Sequence, residues 1–129
     1  MKRLIAILAV LTLAIAACGG GDSDGGSSGT DAPAGITGDA AAGEDVYSGT
    51  CAACHGPDAR GIEGLGKDLH SNAFVAERSD AEMVDFLKEG RPAGDPLNTT
   101  GVDMPPKGGN PSLGDQDLYD VVAFLRTLD

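Results

Sequence analysis

Cys51 and Cys54 stand three residues apart, and His55 follows the second directly. This pattern is the attachment signature of a c-type haem. Each thiol adds to a haem vinyl group as a thioether, and the imidazole reaches the iron from the proximal side. Helical spacing sets both thiols on one face, one turn apart, so that both meet one porphyrin edge. A redox dithiol is the weaker reading, because an export-type leader precedes the pair and no βαβ pattern stands beside it. The chain has only three cysteines, too few for a four-thiol zinc site or for a disulfide framework beside the motif.

An iron held this way has a second axial position to fill or leave open. Met1 belongs to the leader and Met83 to an apolar helix stripe, so Met104 is the one thioether in a loop. Pro105 holds the preceding residue extended, which suits presenting a side chain at a fixed place. A methionine sulfur is a known haem ligand that raises the potential. His70 is the rival, but it lies close after His55 on the loop expected along the proximal side. Arg60, Arg91 and Asn98 are candidates for the haem carboxylates, with nothing in the sequence to rank them.

The elements that must position these groups are helical. Thr37 or Asp39 can cap a first helix over about 39–53, running into the motif. Gly43 and Tyr47 share a face of it, and a glycine inside a helix points to another helix crossing closely there. Residues 56–70 read as loop, with Leu65 and Leu69 placed to lie against the cofactor. Ser79 and Glu82 form a capping box that opens a second helix over about 80–89, with Met83, Phe86 and Leu87 as its stripe and Gly90 as its stop. Residues 91–113 have no helical period, and a loop this long in a small domain is reasonable when it covers a flat cofactor. The last helix, about 115–128, starts at Gly114 or Ser112 and buries Leu118, Val121, Val122, Leu125 and Leu128. Phe124 or Val121 is the expected partner for Gly43.

Ahead of this region stands the run Leu4 to Ala17, preceded by Lys2 and Arg3 and ending at Cys18. It is too short to span a bilayer and fits a secretory signal over 1–17. The Ala16-Ala17-Cys18 junction resembles a bacterial lipobox, so Cys18 is the expected lipidation site. Residues 18–38 are mainly Gly, Ser, Asp and Ala, a flexible tether with a reach on the order of 25 Å. The domain proper is expected over 39–129. Aromatic residues make up 4% of the chain, and there is no Trp. So thin a supply of apolar mass calls for a staple such as a cofactor. A net charge of −11 argues against nucleic acid and against direct adhesion to anionic lipid. It favours protein partners with a basic docking patch.

From about residue 39 onward the chain resembles the class I mono-haem cytochromes c of bacteria. The resemblance is carried by Cys51 to Gly56, the Gly43 and Tyr47 pair, the loop around Met104-Pro105 and the helix Leu118 to Leu128. It implies an all-α cytochrome c fold, three main helices and long loops around one covalently bound haem c. It also implies His55 as the proximal and Met104 as the distal ligand. The family usually has a proline in the loop after the motif, whose carbonyl accepts the histidine N–H. The matching position here is Lys67, which keeps the carbonyl without the ring. The function implied is an exported, membrane-tethered electron carrier without catalytic residues or a small-molecule substrate. The alternatives are a haem-binding catalytic or sensor subunit with a labile distal site, or a haem subunit of a larger respiratory oxidoreductase complex.

Overall fold

A computed structural model of the protein describes residues 36–128; the signal run, Cys18 and most of the tether lie outside the described residues. Asp39 caps the first helix, its carboxylate accepting from the N–H groups of Ala41 and Ala42 at 2.8 and 3.1 Å. From there α1, Ala40–Val46, runs without a break into a π turn, Tyr47–Cys51, and then into α2, Ala52–His55. The helical path therefore reaches residue 55, two beyond the expected end, and is loosened in its middle. In the π turn the Ala52 N–H donates to the Tyr47 carbonyl five residues back, a geometry that tends to mark functional positions.

After the motif come a short α3, Ala73–Ala76, and α4, Asp80–Glu89. The capping box at Ser79 and Glu82 forms as expected, with both reciprocal bonds present. A 3-10 turn, Pro106–Gly109, precedes α5, Asp115–Leu125. The last helix stops three residues short of the expected 128. Its end closes with tighter bonds, Thr127 N–H to Phe124 O and Leu128 N–H to Leu125 O. Among the described residues there is no strand, only two isolated bridge pairs, Ile62 with Gly66 and Arg91 with Met104. The fold is all-α.

The core forms where α1 crosses α5. A methyl group on Gly43 would stand 1.9 Å from the Asp120 carbonyl oxygen, so only glycine allows this approach. The contact falls on the Asp120–Val121 main chain, while Phe124 packs its ring 5.1 Å from that of Tyr47. Asp120 is itself buried, and its carboxylate accepts from the Asp39 N–H and the Gln116 amide, each at 2.8 Å. Both donors partner the buried acceptor, which would otherwise be costly. Ile36 packs against the core, and Gln116 donates to the Thr37 carbonyl at 2.9 Å. Residues 36–38, read as tether, thus lie against α5.

Candidate haem site

α1–α2, the loop behind the motif, α4, α5 and the long 91–113 loop enclose one cleft of about 390 Å³. That lies within the range of roughly 300–1,000 Å³ usual for cofactor sites. Cys51, Cys54, His55 and Met104 all line it. Two thiols, an imidazole and a thioether therefore converge on one mainly apolar space. Burial, with the neighbouring Cys54 second, pushes the free Cys51 thiol up to about 11, so before haem is attached it is a neutral S–H.

α2 is what aims the motif. Gly56 ends it in the left-handed region at φ 81, turning the chain back so that Gly61 N–H donates to the His55 carbonyl at 2.8 Å. The loop then passes under the imidazole, and His55 Nδ1 lies 2.9 Å from the Lys67 carbonyl. A carbonyl only accepts, so Nδ1 carries the proton and Nε2 keeps its lone pair for a metal. The acceptor is at the position read from the sequence.

Met104 faces the cleft from the opposite loop. Its N–H donates to the Arg91 carbonyl and its carbonyl accepts from the Arg91 N–H, both at 2.8 Å. Gly90 ends α4 at φ 72 and leaves room for that approach; a methyl group there would lie 2.2 Å from the Met104 carbonyl oxygen. Met83, assigned to an apolar stripe, is 2% exposed and forms part of the cleft wall beside Leu87.

Leu65 and Leu69 line the cleft as anticipated. His70 does not; its Nε2 pairs with the Asp58 carbonyl at 2.8 Å. Of the polar candidates, Arg91 and Asn98 reach the cleft, whereas Arg60 does not line it. Phe74, Lys107 and Val102 line the cleft without having been singled out. Phe74 packs edge-on to Phe86 at 4.7 Å, with the guanidinium groups of Arg78 and Arg91 over its ring at 3.4 and 4.5 Å. The signal for Phe74 was present in Asn72, whose side chain caps α3, but four residues carry no period to read.

Such a cleft, opening on a thiol pair and an imidazole between crossed helices, defines a haem protein of the cytochrome c kind. Residues 38–125 match the family described as cytochrome c oxidase, cbb3-type, subunit III. Cytochrome c-554(547) of Halothiobacillus neapolitanus is 33% identical over 97 residues, covering 70% of this chain and 98% of the relative. Cytochrome c-555 of Chlorobaculum thiosulfatiphilum is 31% identical over 87 residues, 67% of this chain and 93% of the relative. No solved structure matches the chain significantly. The chain belongs to the cytochrome c family, as a class I mono-haem member. Its cofactor is a covalently bound haem c, with Cys51 and Cys54 at the attachment spacing, and its chemistry is haem-based electron transfer.

Proposed function

We propose that the protein is a membrane-tethered electron carrier, without a substrate of its own, whose iron is ligated by His55 and Met104. One observation carries the reading: Met104 lines the same cleft as His55 and is locked to Arg91 by two main-chain bonds of 2.8 Å. When bound, haem c supplies a one-electron Fe(III)/Fe(II) couple, raised in potential by a methionine ligand. Cys51 and Cys54 fix the cofactor covalently. His55 presents Nε2, held in that tautomer by the Lys67 carbonyl. The leucines and Phe74 keep the interior apolar and exclude water. Held by both His55 and Met104, the iron would offer no opening to a substrate, and the near-complete coverage of two small relatives named as cytochromes agrees with a carrier.

Export through residues 1–17 and acylation of Cys18 set the carrier on the outer, periplasmic or extracellular, side of a membrane. Its partners are redox proteins with a basic docking patch.

Absorbance of the oxidised protein tests the ligand set. A sulfur-to-iron charge-transfer band should be present in the unmutated protein and absent in Met104→Ala. Tight carbon monoxide binding by the unmutated reduced protein would overturn the reading in favour of a labile distal site. Mass spectrometry of the mature N-terminus should find acylated Cys18, and an unacylated terminus would remove the anchor.

A further inference from the structure

The segment between Arg91 and Met104 is a self-tied lobe. The Arg91–Met104 pair closes its neck, backed by the Asp103 carboxylate accepting from the Ala93 N–H. Asn98 knots its interior. The Asn98 amide donates to the carbonyls of Pro92 and Val102 at 3.2 and 2.8 Å, and its oxygen accepts from the N–H groups of Thr100 and Gly101 at 3.1 and 3.0 Å. All of these bonds begin and end inside the lobe or at its neck. Among the described residues one hydrogen bond leaves it for the rest of the chain: the Lys67 ammonium donates to the Leu97 carbonyl at 3.1 Å. Leu97 also lines the cleft, so this bond sits at the cleft's edge.

Lys67 is also the residue whose carbonyl receives the His55 ring N–H. Its own main-chain N–H donates no hydrogen bond among the described residues. The peptide that orients the imidazole packs closely against Gly61 and is flanked by main-chain bonds from Gly66 to Ile62 and from Leu69 to Ala59. The lysine side chain adds a tie to the opposite side of the cleft. A proline here would stiffen φ directly; a lysine gains its constraint from what its ammonium grips.

We propose that Lys67 is a positioning residue that latches the Met104 lobe to the His55 loop, so that one residue holds both sides of the cleft in register. This rests on the reading of His55 and Met104 as the axial pair. The latch is exposed, and a hydrogen bond of that kind changes an opening equilibrium by roughly two- to tenfold.

The test uses the haem-loaded protein with Lys67→Met, which keeps the aliphatic stem and removes the donor, and Lys67→Arg, which keeps a donor. Amide hydrogen exchange over residues 92–103 reads the lobe, and NMR of the reduced protein reads exchange of the His55 Nδ1 proton. In Lys67→Met both rates should rise by roughly two- to tenfold, while Lys67→Arg stays near the unmutated protein. Unchanged exchange at either place in Lys67→Met would overturn the latch, as would an equal loss in Lys67→Arg. The sulfur-to-iron band of the unmutated protein reports Met104 separately. Its absence would remove that ligand assignment, and the exchange of residues 92–103 would still decide the latch.

Discussion

In the π turn before the haem motif, the Tyr47 ring is 1% exposed and its hydroxyl donates to the Gly56 carbonyl at 2.7 Å. That bond ties the start of the loosened turn to the residue just after His55, so the motif is gripped at both ends. Tyr47→Phe removes one of two donors to the Gly56 carbonyl, which keeps the Ala59 N–H at 3.1 Å, at a cost of about 0.5–1.5 kcal/mol. Denaturant unfolding of the haem-loaded variant should show that loss, and an unchanged midpoint would mean that water replaces the hydroxyl. Half of this residue was legible in advance. Its spacing from Gly43 marks it as a crossing residue, and the packing against Phe124 follows from that. The hydroxyl's partner was not legible, because it depends on an i to i+5 turn that no residue type announces. The Lys67 carbonyl was legible by its place in the loop, whereas the ammonium's grip on Leu97, thirty residues away, needed the fold.

Between elements, local chemistry was readable wherever it is short-range. The Ser79–Glu82 box is self-contained, and the Ser79 N–H and then its hydroxyl hold the Glu82 carboxylate below its ordinary value. A carboxyl lowered in the folded state adds stability that is present above the ordinary value of 4.5 and is lost as pH falls through the lowered one. Loss of the cap hydroxyl in Ser79→Ala should cost about 1 kcal/mol. The acid limb of a stability–pH curve, measured by thermal unfolding, should keep most of its slope in that variant, because the Ser79 N–H still donates to the carboxylate; Glu82→Gln should flatten it. At the helix crossing, Gly43→Ala gains about 1 kcal/mol of helix propensity. It must also push α1 off the Asp120 carbonyl, an overpacking cost of about 1–3 kcal/mol or more. The melting temperature should fall, and a rise would show that α1 and α5 separate freely. The end of α5 was overrun in the sequence because its apolar period continues through Leu128. Arg126 breaks it instead, turning to the Asp80 carboxylate at 3.0 Å and to the carbonyls of Val75 and Arg78. Those acceptors sit on α3, the turn after it and the start of α4, invisible to periodicity.

Taken whole, the molecule sets a strongly acidic body, −11 overall, around a cleft lined by Lys67, Arg91 and Lys107 against Asp103. Long-range attraction thus belongs to the body and close contact to a far less acidic mouth. Stopped-flow electron exchange with a small cationic reagent should slow as salt rises past the screening length of about 8 Å at physiological ionic strength. An anionic reagent should show the reverse trend, and salt-independent rates with both would remove electrostatic steering. The place where the chain enters the domain adds an orientation. Thr37 and Gly38 lie along α5 at Gln116, Tyr119 and Ala123, whereas Leu118, Val121 and Leu125 of the same helix line the cleft. With 3.6 residues per turn these two sets fall on roughly opposite sides of α5. An anchor acting through residue 36 would pull on the molecule's back like a kite line. The mouth would be left free to face away from the surface that holds it.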